Sequence, residues 1–502
     1  MEFQAPTVTT DYDEVPYPGK FYAQSTPLRQ AALAMLFGMT PPAVDRCRVL
    51  ELGCGDGGNL IPLAYAMPGS QFVGMDLAST AVAAGMETVK QLGLSNVQLG
   101  ARNLLEFPED SGRFDYIIAH GIYSWVPPQV RQQLFKICSR HLAENGVAYI
   151  SYNALPGGFL RRFARDLMLF HTRAISDPAI KVKEARNIVE FALSAHVKPT
   201  VESEILKREI GKDKTDSYLY HDVLSEVNDA VYFLDFLDQA ARYGLQFLAE
   251  ATPTVGPAFL PENVRNQLDT LPDRRIREQY LDLLFGRRFR QTLLCRTGHA
   301  LAADYDARAL DLLLIRGTLV ANAPVEDLQD GAVAEFRTPR GGSVKVREAF
   351  PKAAYLEIGQ AFPKAMSYRE LRARTCVRLG RSAEEMTTEE QEKLGRMILS
   401  SYVHGVIQLE PFQAEFTTEI SEKPKASALA RMQAAAGGSV VSMGLISYAM
   451  AEQSTRRVLM SADGSNNEEQ ICQKLSSNGE AVSRESVRSA LDYLAKSAML
   501  VA

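Results

Sequence analysis

The stretch VLELGCGDGGNL, residues 49–60, decides the fold. A short strand-like run, RVLEL, enters a loop that carries Gly53, Gly55 and Gly57, and the loop opens into the apolar helical stretch NLIPLAYAM. Glycine is required there because a ligand must approach the backbone more closely than a Cβ allows, while the turn itself demands unusual dihedrals. Working outward, QFVGMDL, STAVAAGMETVKQLG, NVQLG, FDYIIAHG and GVAYISYN continue the pattern. Strand alternating with helix predicts a parallel sheet covered on both faces. Upstream, past a turn-rich segment from Tyr12 to Gly19, Thr26 and Pro27 supply the N-cap and first-turn proline of a helix that Gly38 ends.

The loop also satisfies GxGxxG through Gly58, so a nicotinamide or flavin cofactor competes for it. Glu51 does much of the deciding. An acid two residues before the first glycine sits at the carboxyl end of the first strand, beside the ligand crevice, where it would repel a pyrophosphate. It suits a cationic ligand, and S-adenosylmethionine (SAM) carries a sulfonium and an ammonium. Asp76 ends the second strand, where an acid accepts hydrogen bonds from ribose hydroxyls, and Asn103 follows the third, where an amide can read an adenine amino group. Each has a plainer reading beside it: a tight turn for the glycines, a helix cap for Asp76, a turn residue for Asn103.

At 502 residues the chain exceeds one compact core, and 46% hydrophobic with 23% charged residues is ordinary globular usage. We expect four units, at 1–170, 171–300, 301–415 and 416–502. Residues 159–196 read as helices, and the charged stretch from Glu202 to Asp216 reads as a solvated connection. Residues 217–254 show helical spacing through Phe233, Phe236, Leu237, Ala240 and Ala241, which predicts a separate, mainly helical region. Toward the end a helix, helix, strand theme occurs twice. Ser367 with Glu370 and Thr387 with Glu390 form capping boxes before VIQLE, and NNEEQICQKL precedes SRESVRSALDYLAKSAMLVA. The theme suggests mixed α+β, winged-helix-like modules. The Ala-, Gly- and Ser-rich segment 422–442 between them reads as a linker or surface segment.

Composition narrows the function. A formal charge of −5, with 55 Lys and Arg against 60 Asp and Glu, supplies no basic field for phosphate, so nucleic acid is not the expected partner. Six scattered cysteines without a CxxC pair point away from zinc and from a disulfide framework, and the histidines lack metal-ligand spacing; no metal is expected. The acidic, proline-bearing start and the lack of an 18-residue apolar run predict a cytoplasmic, soluble protein without membrane insertion.

The strings ELGCGDGGNLIPLA, YDEVPYPG, FDYIIAHGIYSWVP, AYISYNALPG, YHDVLSEVNDAVYFLDF and YGLQFLAEA, spread over Tyr12 to Arg296, resemble the class I SAM-dependent methyltransferases that carry a methyltransferase regulatory domain. The best-known members of that family are the rickettsial-type outer-membrane-protein lysine methyltransferases. The resemblance implies an α/β, Rossmann-like SAM-binding domain, a helical dimerisation or regulatory region, and further domains around a cleft open to substrate. It implies a homodimer, and a protein substrate with accessible lysines such as an outer-membrane or surface protein. Gly53, Gly55, Asp76, Asn103 and His120 fall on the family's cofactor positions, and the whole cofactor set expected is Glu51, Gly53, Gly55, Gly57, Asp76, Leu77, Asn103, Leu104 and His120. One departure stands out: Gln24, Ser25, Thr26 and Pro27 replace the family's common Gln-Thr-His-Pro, so no role of that histidine carries over.

The loop HGIYSWVP after the fourth strand lies where an open parallel sheet builds its crevice. Tyr123, Trp125 and, after the fifth strand, Tyr152 with Asn153 are candidates to line a channel for an aliphatic amine and to hold its cationic form by cation–π contact. Packing of these aromatics against the sheet is the competing reading. Methyl transfer needs alignment and desolvation rather than a covalent nucleophile, and the sequence selects no general base. His221 and Asp222 suggest an acid and base pair, against a capping or packing role. Two other functions stand beside protein-lysine methylation: methylation of a small molecule, and a non-catalytic SAM-responsive regulator whose last helix, with Arg484, Arg488 and Lys496, binds DNA.

Overall fold

A computed structural model of the chain describes residues 15, 17, 19–195, 198–209, 214–253, 260–325, 328–338, 341–477 and 482–502. Of the turn-rich segment Tyr12–Gly19, only Val15, Tyr17 and Gly19 fall among the described residues.

The alternating pattern builds a sheet from β1 (Arg48–Leu52), β2 (Gln71–Asp76), β3 (Val97–Ala101), β4 (Phe114–Ala119) and β5 (Leu142–Ala154), all parallel. The two-residue β6 (Ala230–Val231) pairs with the end of β5. Two stretches expected inside the helical region are strands: β7 (Leu245–Glu250) and β8 (Phe289–Arg296). The full order is β3-β2-β1-β4-β5-β8-β7, with β8 antiparallel to both neighbours. The physical reason is the edge. Residues 148–153 of β5 would otherwise present an unpaired strand that is buried along its whole length, and YGLQFLAEA and RRFRQTLLCR cover it.

The sheet therefore continues past residue 170, and the helices Gly158–Thr172, Pro178–Ser194 and Val201–Glu209 form a cap inserted after β5. The charged stretch from Glu202 onward is not a mere connection. Leu206 of the helix Val201–Glu209 is 2% exposed and packs with Ala164, Met168, Val182, Ala185 and Val189, while its charged residues face outward. The helix Phe233–Ala241 likewise belongs to the main core. Phe233 and Phe236, whose spacing predicts a separate helical region, are fully buried against the sheet with Phe135 and Phe247.

A buried ion cluster fixes β8. Arg290, with no exposed surface, donates to Asp282 (2.8 Å), Glu250 (2.7 Å) and Glu278 (3.0 Å), and its guanidinium lies 3.8 Å from the Phe233 ring centroid. The cluster ties two strands to the helix Arg274–Phe285.

The helix Pro27–Leu36 forms as its cap signals predict, with Thr26 Oγ1 accepting from the Arg29 amide. It joins the main core to the next module, where the Arg29 guanidinium lies over the Tyr402 ring. That module sets three helices, Ala349–Ala361, Tyr368–Arg378 and Thr388–Val403, on a small antiparallel sheet of Met366–Ser367, Leu314–Arg316 and Gln408–Glu410. The Thr387–Glu390 capping box is complete; at Ser367 only the Glu370 amide bond forms. In the last module four helices surround one core, but the chain after the final helix, Arg484–Lys496, makes only single bridges from Leu500 to Thr417 and Ala426 instead of a strand. The segment 422–442, read as a linker, is core: Ala426, Ala430 and Ala434 are buried because small side chains let the helix Ala428–Ala435 approach its neighbours closely. No helix among the described residues is long and apolar enough to cross a membrane.

Candidate active site

The strand order reverses between β1 and β4, and the carboxyl ends of these strands flank the crevice where open α/β sheets bind ligands. β1 delivers Glu51 to this point and β4 delivers His120. The glycine loop crosses above them. Gly53 has φ +74°, and a Cβ there would strike the Ile122 side chain on the way toward Asp76. Gly55, at φ +54°, by contrast has open space where a Cβ would lie.

Glu51 is 2% exposed. Its Oε1 accepts from Asn59 Nδ2 at 2.7 Å, and its Oε2 is buried with no hydrogen-bond partner. Burial pushes the carboxyl up to about 8, with Asp76 and Asp56 adding to the rise and Asn59 opposing it. Asp76 ties the loop to the end of β2: Oδ2 accepts from the Gly55 amide (2.8 Å) and Oδ1 from the Ala78 amide (2.9 Å). Leu77, 37% exposed, follows it at the rim. Asn103 Oδ1 accepts from the Leu105 amide at 3.0 Å, with Leu104 partly buried behind it.

His120 bonds through Nδ1 to the Tyr149 hydroxyl at 2.9 Å, and burial lowers its pKa to about 4, so the ring is neutral near pH 7. The Tyr22 ring lies against it with centroids 3.8 Å apart and the planes tilted by 31°. Tyr22 belongs to a strap, residues 19–25, laid across the glycine loop. The Gly19 amide donates to Asp56 Oδ2 (3.2 Å), the Tyr22 amide to Asn59 Oδ1 (2.9 Å), and Asn59 Nδ2 also reaches Ser25 Oγ (3.1 Å). Gly19 and Gly58 meet closely: a Cβ on Gly58 would collide with the Gly19 backbone, and one on Gly19 with the Asp56 carboxylate. The Tyr22 hydroxyl is pushed up to about 12 by burial and by Asp222, Glu51 and Asp56, which marks the cleft as negative.

Two of the three proposed channel aromatics are core residues instead. Tyr123 has no exposed surface; it packs among Phe135, Tyr152 and Phe236 and its hydroxyl donates to Gln239 Oε1 at 3.0 Å. Tyr152, equally buried, stacks on Phe236 at 4.1 Å and shares a 3.0 Å bond with Thr292 Oγ1. Period-two alternation along β5 explains this, because Ala148, Ile150 and Tyr152 face one core while Tyr149, Ser151 and Asn153 point the other way. That other face holds the cleft: Tyr149 reaches His120, Ser151 Oγ accepts from the Gly121 amide (2.9 Å), and Asn153 Nδ2 donates to Asn228 Oδ1 (2.8 Å). Trp125 remains partly exposed, its Nε1 buried with no acceptor among the described residues. Tyr22, Asn59, Tyr149 and Ser151 escaped the sequence reading. For the last two, strand parity was the available signal.

The chemistry of these groups fits SAM. An orphaned buried carboxylate oxygen suits a cationic group, a glycine cradle leaves the room, an acid ends β2, and the nearby imidazole carries no competing positive charge.

A glycine loop with acids ending β1 and β2, on a sheet of this order with one antiparallel strand inserted beside the last, defines a class I methyltransferase fold. A methyltransferase domain model matches residues 49–146, and a model described as a predicted methyltransferase regulatory domain matches residues 215–296. The chain belongs to the family of class I SAM-dependent methyltransferases with a methyltransferase regulatory domain. Uncharacterized protein RP789 of Rickettsia prowazekii is 33% identical over 403 residues, spanning 78% of this chain and 73% of that one. Uncharacterized protein RP028 of the same organism is 34% identical over 240 residues, 47% of this chain and 96% of that one. The structure of PKMT2 from Rickettsia typhi, also solved in complex with AdoHcy, superposes with a TM-score of 0.85 at 24% identity, covering 97% of this chain and 100% of that one.

Proposed function

We propose that this methyltransferase acts on lysine side chains of a protein, as a cytoplasmic homodimer, with SAM lying across the point where the strand order reverses. The observation that carries the placement of SAM is Glu51, a buried carboxyl with an unpartnered oxygen in a cleft whose imidazole is neutral. Glu51 would take the cationic amino acid end of the cofactor, Asp76 the ribose hydroxyls, and Leu77 and Leu104 the faces of the base, with Asn103 at its edge. When bound, SAM supplies an electrophilic methyl whose transfer breaks the C–S bond as the N–C bond forms, the sulfur keeping the bonding pair.

The chain's own residues then have two tasks. They must hold the amine in line, and they must favour its neutral form, since a lysine in water has a pKa of about 10.4. The packed rings of Tyr22 and His120 and the partly exposed Trp125 provide apolar, desolvating surface, which lowers an amine's pKa. The protein acceptor is supported by the family strings and by the domain arrangement shared with PKMT2. The dimer is supported by an apolar row on the helix Arg274–Phe285, where Ile276, Tyr280, Leu283 and Leu284 are 41–52% exposed at helical spacing. Five buried and one half-buried cysteine, all unpaired, suit a reducing compartment. The DNA-binding alternative loses its basis, as Arg484 and Arg488 lie 3.6 Å from Glu468 and Arg488 lies 3.5 Å from Asp492.

The test is incubation of the purified protein with methyl-labelled SAM and fractionated lysate, followed by hydrolysis of the labelled fraction. Label in methyl-lysine of protein supports the reading. Label confined to small metabolites rejects it.

A further inference from the structure

The region matched by the regulatory-domain model places a side chain at the catalytic cleft. Residues Leu219–Val223 form a π-helical turn, an irregularity frequent at functional sites. The turn is fastened from two directions. On one side, His221, 5% exposed, donates from Nε2 to the Val15 carbonyl at 2.6 Å, and the Tyr17 ring meets it edge-on at 5.7 Å. On the other, Asn228 Nδ2 donates to the Asp222 carbonyl and Asn228 Oδ1 accepts from Asn153 Nδ2 at the end of β5. His221 therefore has the packing role that its apolar surroundings suggest.

Asp222 differs. Its Oδ2 accepts from the Tyr17 hydroxyl at 3.1 Å, and its Oδ1 has no hydrogen-bond donor among the described residues. It is half-buried, and the charged groups that act on it are Lys20 of the strap and Arg161 of the helix Gly158–Thr172. The Tyr22 hydroxyl lies in the field of Asp222 more strongly than in that of Glu51 or Asp56. Through Asn228 and Asn153 the π-turn is tied to the end of β5, two residues past Ser151, whose Oγ holds the Gly121 amide next to His120.

We infer that Asp222 is the acceptor-recognition residue: its carboxylate receives the ammonium of the incoming amine where the π-turn and the strap meet, before the amine moves down past Tyr22. A carboxylate with one satisfied oxygen and one open oxygen recognises a cation by charge and by direction. The inference rests on the reading of a lysine acceptor, and it assigns substrate specificity to the so-called regulatory region rather than to the SAM-binding strands.

The test uses the full-length protein, methyl-labelled SAM and poly-L-lysine as acceptor. Asp222→Asn keeps the shape and the Tyr17 bond while removing the charge. It should raise KM for poly-L-lysine about tenfold or more, change kcat less, and leave SAM affinity by calorimetry within about twofold; Asp222→Glu should recover part of the loss. Tyr17→Phe, which removes only the hydroxyl that orients the carboxylate, should raise KM in the same direction by a smaller factor and serves if Asp222→Asn does not fold. An unchanged KM in the folded variants overturns the inference, as does a parallel loss of SAM affinity. Hydrolysis of the wild-type product keeps the two ideas apart. Label absent from methyl-lysine removes the acceptor reading and the inference with it, whereas methyl-lysine formed with wild-type KM by Asp222→Asn removes the inference alone.

Discussion

SAM binding to the wild-type protein should depend on pH through Glu51, and the Glu51→Gln variant should lack that dependence. In the ligand-free cleft the Glu51 carboxyl is raised to about 8 by burial, so at pH 7 the protonated form outnumbers the carboxylate by about ten to one. A cationic ligand selects the carboxylate. Binding at pH 7 must then release a proton, and Kd should be about elevenfold weaker than on the plateau above the pKa, or ~1.4 kcal/mol. Calorimetry from pH 6.5 to 9 in buffers of different ionisation enthalpy reads both the affinity and the proton count. The ligand's own ammonium titrates near the same pH, and the profile of Glu51→Gln reports that part alone, so the difference between the two profiles isolates Glu51. The same group affects the free protein. Its folded pKa lies above its unfolded value, so its contribution to stability is full below about pH 4.5 and is lost as pH rises through about 8. Without ligand, the wild type should therefore lose melting temperature relative to Glu51→Gln between pH 5 and 9. Superimposable binding profiles for the two proteins, with no proton released by the wild type, would refute the assignment of Glu51 to the cofactor's cationic end.

Gly53→Val should abolish SAM binding, because a side chain at φ +74° strains the turn and must displace Ile122, which shifts the glycine loop; calorimetry showing wild-type affinity overturns the site. Asp76→Ala should weaken SAM by about 1.5 to 3 kcal/mol while leaving the fold intact by circular dichroism. Arg290→Met removes the fully buried cation of the cluster and leaves Asp282 and Glu250 with Arg287 as their remaining partner, so denaturant titration should show a loss of about 3 kcal/mol. Tyr152→Phe removes one buried hydroxyl bond to Thr292 and should cost about 1 kcal/mol with turnover per folded molecule preserved; a selective fall in turnover would return Tyr152 to the acceptor channel.

The parallel half of the sheet was legible because its information is local. Glycine between strand and helix, an acid before the first glycine and another at the end of β2 are read within 30 residues, and the structure seats Glu51, Gly53 and Asp76 at one crevice. The antiparallel half was not. Residues 245–250 and 289–296 carry patterns that a helical region also tolerates, and only the open edge of β5, 100 residues away, makes them strands. The same limit governs single side chains. Sequence set Tyr152 and Asn153 side by side after one strand, but a pleat sends adjacent residues to opposite faces, so the choice between core and cleft depends on which helices cover each face. Tyr22 and Asp222, 200 residues apart, had no sequence signal linking them to the glycine loop. The strap that lies over Asp56 and Asn59, and the π-turn tied to that strap by Tyr17, bring them there. Sequence by itself determined the chemistry of the loop, since backbone strain and charge are properties of neighbours along the chain. Tertiary structure decided what surrounds that chemistry, since burial, which sets the Glu51 and His120 pKa values, is contributed by segments far away in sequence.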